Sequence, residues 1–184
     1  MNKLGIIDKK KTVFVLVDIQ DKFIPVINDI DKIISNSNVL IKTSEILNIP
    51  LIVTEQYSKG LGHTSKGINL PDKKHLIEKT SFSCFGSDEF VKKIKELKVD
   101  SIVLFGIEAH VCILKTALDA LKNNFDVHVV GDAISSRTFE NKSIAIERMR
   151  QSGAFIVSTE MILFQLLDRA GTEEFKLISN LIKS

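Results

Sequence analysis

Residues 13–17 read Val-Phe-Val-Leu-Val, and Asp18 follows at once. A continuous apolar run rich in β-branched residues is the pattern of a strand buried on both faces of a parallel sheet. After a loop containing Pro25, residues Ile30, Ile33, Ile34, Ser37, Leu40, Ile41, Ser44 and Leu47 recur at helical spacing, with Asn28 or Asp29 placed to cap. Pro50 then opens a second apolar strand, Leu51–Thr54. Strand, helix and strand form a βαβ unit, in which the crossover helix forces the two strands parallel.

The alternation continues along the chain. Residues 55–75 are rich in Gly, Lys, Ser and Pro without a sustained period, and read as a long surface loop able to overhang a site. His75–Glu78 is a short third strand. A helix over Ser87–Leu97 leads to strand Ser101–Phe105, helix Ala109–Lys122, strand Val127–Val130, helix Glu140–Gln151 and strand Ala154–Val157. Helices Met161–Arg169 and Glu173–Ile182 close it. This pattern predicts an α/β fold: a three-layer, doubly wound, Rossmann-like open parallel sheet of strand order 3-2-1-4-5-6 with helices on both faces. With 184 residues and no repeat or linker, one domain over 1–184 is expected.

Charge and composition exclude several classes. Basic residues (25) nearly match acidic ones (23), and the lysines are dispersed rather than clustered, which argues against a nucleic-acid partner. No stretch approaches the roughly 20 apolar residues of a membrane span. The first residues mix charge with short apolar pieces and lack the apolar core of a signal peptide, so a cytoplasmic protein is expected. The two cysteines, Cys84 and Cys112, fit a reducing compartment, although their pairing stays open.

In doubly wound sheets ligands bind outside the carboxyl ends of the strands where the strand order reverses, here between the first and fourth strands. Asp18 follows the first of these, and Gly106-Ile107-Glu108-Ala109-His110-Val111-Cys112 follows the fourth. Asp18 alone also reads as a cap or loop solvator, and Cys112 alone as a small buried hydrophobe. Taking Leu114, Ala117, Leu118 and Leu121 as the apolar stripe of its helix, about 100° per residue places Cys112 opposite that stripe, where a core cysteine does not belong. In the first helical turn, the backbone N–H groups favour thiolate. His110, two residues earlier, lies on nearly the opposite face and is poorly placed as its base. His63, His75 and His128 make no metal-ligand spacing. A carboxylate base is the better candidate.

Three segments then carry a resemblance over nearly the full length: Val15-Leu16-Val17-Asp18-Ile19-Gln20 with Phe23; Glu78-Lys79-Thr80-Ser81-Phe82; and Gly106 to Cys112, running on through Thr116-Ala117 to Asp132-Ala133. The chain resembles the isochorismatase-like cysteine hydrolases, the superfamily of nicotinamidases, N-carbamoylsarcosine amidases and isochorismatases. Val53-Thr54-Glu55-Gln56-Tyr57 with Gly60-Leu61-Gly62-His63-Thr64 is most similar to the branch of small isochorismatase-domain hydrolases. The resemblance implies a triad in which Asp18 takes the thiol proton, Cys112 attacks a carbonyl and Lys79 supports both. It implies an oxyanion hole from the backbone N–H groups of Glu108 and Cys112, and a cis peptide between Ile107 and Glu108. It further implies a small amide-like substrate and a homo-oligomer. The pocket is expected to be lined by Gln20, Phe23, Tyr57, Phe82 and His110.

Lys79 would read as a surface lysine but for its place in Glu78–Phe82, and Cys84 reads as a packing residue. Nicotinamidases hold a metal through Asp-x-His and a further His after the second strand, where this chain has Glu55-Gln56-Tyr57, so no metal and no cofactor are expected. True isochorismatases lack a cysteine at the nucleophile position, so Cys112 argues against their vinyl-ether chemistry. A non-catalytic interaction or redox-sensing module, with Cys112 oxidised rather than acylated, is the alternative. A flavodoxin-like cofactor binder is disfavoured, because Ile19-Gln20-Asp21-Lys22-Phe23 lacks the residues that cradle a phosphate.

Overall fold

A computed structural model describes residues 4–183. Strands β1 (Thr12–Val17), β2 (Leu51–Gln56), β3 (His75–Lys79), β4 (Ser101–Ile107), β5 (Asp126–Ser135) and β6 (Phe155–Val157) form one six-stranded sheet. Every pairing is parallel and the order is 3-2-1-4-5-6, as expected from the sequence. The helices are α1 (Ile30–Ile46), the short α2 (Ser58–Leu61), α3 (Asp88–Leu97), α4 (Leu114–Lys122), α5 (Phe139–Gln151), α6 (Thr159–Leu166) and α7 (Glu173–Leu181).

The period-2 geometry of a strand divides the apolar run of β1 between two cores. Phe14 and Leu16 join Leu40, Ile41, Leu163 and Ile178 beneath α1, α6 and α7. Val13, Val15 and Val17 join Phe90, Ile94, Ala117 and Met149 beneath α3, α4 and α5. All six residues of β1 are fully buried, which is why its sequence does not alternate. Each large aliphatic side chain so buried contributes about 1.5–3 kcal/mol. Side chains of Ser87, Thr138, Ser158 and Thr172 accept from backbone N–H groups at the starts of α3, α5, α6 and α7.

Several boundaries differ from the sequence reading, and some of the differences matter for the site. β2 runs on to Gln56 and β3 to Lys79, so Gln56 and Lys79 are register partners. The segment 55–75 is therefore not wholly a loop, and it also holds α2. β5 continues past Val130 to Ser135 across an irregularity in its pairing with β4. Asp29 sits at the start of α1 in the left-handed region and makes no capping bond with its side chain.

At the reversal point β1 and β4 approach unusually closely. Gly106 has φ +118° and is paired with Val17; a Cβ there would lie 2.1 Å from the Val17 carbonyl oxygen. Only glycine fits. This contact brings the end of β1, and with it Asp18, beside the segment that carries Cys112.

Candidate active site

Asp18 leaves β1 with φ +52°, a left-handed conformation costing a non-glycine residue about 1–2 kcal/mol. Its side chain is buried, and both oxygens are engaged from the neighbouring strands. Thr54 Oγ1 donates to Oδ1 at 2.7 Å, and Lys79 Nζ donates to Oδ2 at 2.6 Å. Lys79 Nζ also donates to Gln56 Oε1 at 2.8 Å, while Gln56 Nε2 donates to the Thr80 carbonyl at 2.7 Å. The side chains of Lys79 and Asp18 are 0% and 1% exposed, which removes Lys79 from the class of surface lysines. Burial works against the charge of Lys79, but the Asp18 carboxylate, by its charge and as a hydrogen-bond acceptor, outweighs it and holds its pKa above the ordinary value.

Cys112 completes the cluster. It sits in a single π-helical turn, Ala109–Ile113, that follows a cis peptide between Ile107 and Glu108 and leads into α4. Such turns recur at functional sites because they re-aim a side chain within a helix. The stripe expected for α4 is displaced: Ile113, Thr116, Ala117 and Ala120 are buried, whereas Leu114, Leu118 and Leu121 are half-buried. Small residues let the helix sit close on the sheet, so the largest residues do not mark the buried face. Cys112 consequently lies at the edge of that buried face, 6% exposed, and not opposite it.

The thiol's state is governed by its neighbours. Burial pushes its pKa well up, and the adjacent Asp18 carboxylate adds to this by its charge and as a hydrogen-bond acceptor; Lys79 opposes them incompletely. These surroundings favour the protonated thiol over the thiolate. Cys84 is fully buried, as a packing residue should be, yet it lies within electrostatic reach of Lys79 and Asp18. Its thiol is pushed up to about 11, chiefly by burial, and its backbone N–H donates to Thr116 Oγ1 at 3.0 Å.

Over Cys112 opens a cavity of about 260 Å³ walled by Phe23, Tyr57, Leu61, Phe82 and Val111. Gln56, Glu108 and Cys112 complete its lining. Tyr57 and Phe82 are more than half exposed and form the rim. Glu108 Oε2 is held by the Arg137 backbone N–H and by Arg137 Nε at 3.1 Å. A larger recess of about 510 Å³ lies where β2 and β3 begin, at the other end of the strands, and includes no cysteine.

Two residues expected in the pocket do not line this cavity. Gln20 is buried: its Oε1 accepts from the Gln56 N–H at 2.7 Å, and its Nε2 donates to the carbonyls of Gln56 and Gly62. It pins the end of β2 to the turn that carries Tyr57 and Leu61. His110 lies with Nδ1 3.0 Å from Ser136 Oγ, directed toward the end of β5. Both are polar groups whose bonding is satisfied by backbone or side chains far away in sequence.

Residues 12–161 match the Isochorismatase domain family. The chain belongs to the isochorismatase family. It is 40% identical over 182 residues to isochorismatase family protein 1A of Dictyostelium discoideum, covering 96% of this chain and 88% of that one. It is 38% identical over 190 residues to the secreted isochorismatase effector Isc1 of Phytophthora sojae, covering 98% and 89%. Among solved structures, the MAR1 ribonuclease of Caenorhabditis elegans superimposes with a TM-score of 0.91 at 37% identity, covering 97% of this chain and 92% of that one. The chain thus has the isochorismatase-family hydrolase fold, with Asp18, Lys79 and Cys112 gathered at its topological switch point.

Within that family fold, the residues at the end of β2 do not suit a metal. Both ends of the Gln56 amide are committed, and Glu55 points to the opposite side of the strand. There Glu55 Oε1 accepts from the Thr64 N–H and hydroxyl, and Oε2 lies 3.0 Å from His63 Nδ1. Among the described residues no three His, Cys, Asp or Glu side chains gather as ligands, and no helix is long and apolar enough to cross a membrane. Thr54 and Gln56 are the site residues that the sequence reading passed over. The signal for them is period two: once β2 is extended to Gln56, Thr54 and Gln56 share the face that Asp18 and Lys79 occupy.

Proposed function

We propose that the chain is a cysteine hydrolase that cleaves a small amide-like carbonyl compound through a thioester. The carrying observation is the buried Asp18–Lys79 pair, oriented by Thr54 and Gln56, set against the Cys112 thiol beneath a preformed cavity. Because the resting thiol is favoured over the thiolate, Asp18 takes its proton as sulfur attacks the carbonyl carbon. The tetrahedral oxyanion is received by the backbone N–H groups of Glu108 and Cys112, both of which border the cavity. Collapse breaks the carbon–nitrogen bond, and Asp18 returns the proton to the departing amine. Water then attacks the thioester with Asp18 again as base, the acid leaves, and the sulfur recovers a proton. Lys79 pairs with the Asp18 carboxylate and holds it in place between these transfers.

The redox-sensing alternative gives no role to the oriented Asp18–Lys79 pair or to the cavity above the thiol, both of which the hydrolase reading uses. A nuclease reading gains no support from the cavity, whose lining includes no lysine or arginine. Cytoplasmic residence fits two unpaired thiols, and self-association fits the exposed Phe139 and Ile144 on α5. The test is a hydrolysis screen of small amides, carbamoyl compounds and esters with wild type and Cys112→Ala. Turnover that survives in the variant would refute the nucleophile assignment.

A further inference from the structure

The geometry points to an uncharged, apolar acyl group as the part of the substrate that occupies the cavity, an inference that rests on the hydrolase reading above. The walls come from Phe23, Tyr57, Leu61, Phe82 and Val111, none of which carries charge. The polar side chains of the lining offer a ligand little. Gln56 spends its amide oxygen on Lys79 and its amide nitrogen on Thr80. Glu108 spends Oε2 on Arg137. Lys79 is buried and bound to Asp18 and Gln56, and Arg137 Nε is bound to Glu108.

A carboxylate entering this space would lose water and find no free cation in the lining, and an ammonium would find only Glu108, already paired with Arg137 through Oε2, which costs more than burying an apolar group of the same size. The volume, about 260 Å³, lies just below the roughly 300–1,000 Å³ of sites for drug-sized ligands, which suits a small metabolite. The exposed faces of Tyr57 and Phe82 at the rim suit a flat or branched apolar substituent. The same reasoning acts on the product. Hydrolysis turns a neutral acyl group into an anion within a wall that holds no free cation, so the acid is expelled and inhibits weakly. Charge therefore favours entry of the substrate and exit of the product.

The test uses alkylation of the whole protein, so it needs no substrate. Iodoacetamide, N-benzyl iodoacetamide and iodoacetate each form a carbon–sulfur bond with loss of iodide, and the thiol proton leaves to Asp18 or solvent. Rates at Cys112 are read by peptide mass spectrometry and divided by each reagent's rate with glutathione at the same pH. After this normalisation iodoacetamide should outpace iodoacetate by at least about tenfold, and the benzyl reagent should be faster still. Leu61→Lys places a cation on the wall at the half-buried end of α2 and should shrink the first ratio several-fold. Iodoacetate labelling Cys112 as readily as iodoacetamide, or a ratio that Leu61→Lys leaves unmoved, would overturn the apolar-neutral assignment while leaving the nucleophile in place. Failure of all three reagents at Cys112 would instead remove the nucleophile reading, and this inference with it.

Discussion

Replacing Lys79 with methionine keeps the length and most of the volume of the side chain but strands the Asp18 carboxylate. In the native protein that carboxylate is buried and its Oδ2 is held by Lys79 Nζ at 2.6 Å. Breaking a buried pair by removing one partner costs about 3–5 kcal/mol, because the surviving charge is left uncompensated. Gln56 Oε1 loses its donor in the same step, adding about 1 kcal/mol or more. With an m-value of about 2 kcal/mol/M for urea, the unfolding midpoint should fall by roughly 2–3 M. The second arm is Asp18→Asn combined with Lys79→Met, which removes both charges. A neutral pair in this site should regain most of the lost stability, since replacing a whole buried ion pair is often close to neutral. Both variants should lose hydrolysis, because each lacks part of the proton-transfer apparatus. Urea titration followed by circular dichroism at pH 7 reads the stability of all three proteins. A single variant within 1 kcal/mol of wild type, or a double variant no better than the single, would refute the claim that this pair is a mutually dependent buried charge couple.

Four further outcomes follow from particular contacts. His128 is fully buried, stacked on Phe155 at 5.1 Å, and without a hydrogen-bond partner at either ring nitrogen among the described residues; burial pushes its pKa down to about 4. The unfolded chain binds a proton there near pH 6.5 and the folded chain does not, so stability should fall as pH drops from 6.5 toward 4, by up to about 1.4 kcal/mol per unit. His128→Phe should flatten that slope in denaturation curves, and an unchanged slope would clear His128 of the effect. Gly106→Ala should cost several kcal/mol, because its Cβ would press into the Val17 carbonyl at a φ that alanine resists; a near-native melting temperature would contradict this. Thr54→Val removes the 2.7 Å bond to Asp18 Oδ1 and should lower kcat about 10–100-fold with little change in KM. Equal effects on KM would assign Thr54 to binding instead. A strong chelator should leave turnover intact, since Glu55, Gln56 and His63 are already committed to protein partners; loss of turnover restored by zinc would show otherwise.

Much of the fold was legible because it is written locally. An apolar run such as Val13–Val17 has the pattern of a strand covered on both faces, and strands alternating with helices favour a parallel sheet. The strand order and its reversal point follow, and with them the placement of Asp18 and Cys112 on facing segments. Lys79 was legible only through its resemblance to a family motif, because a lysine in a lysine-rich chain has no local sign of burial. The length of β2 was not legible, since Glu55 and Gln56 are polar and their burial comes from Lys79, Thr64 and His63 across other strands and turns.

What the sequence by itself determined, then, is the sheet and the residues that meet at its switch point, because backbone periodicity and apolar patterning act within a few residues. The tertiary structure alone decided the rest. It sets Cys112 on the buried edge of its helix and not opposite the leucines, because Thr116, Ala117 and Ala120 let α4 settle close against the sheet. It turns Gln20 and His110 away from the cavity, because the end of β2, Gly62 and Ser136 satisfy them. It favours the protonated thiol, because desolvation and the charge of Asp18 act against the thiolate. Burial, hydrogen-bond satisfaction and pKa are sums over neighbours brought together from distant parts of the chain, and no window of sequence contains them.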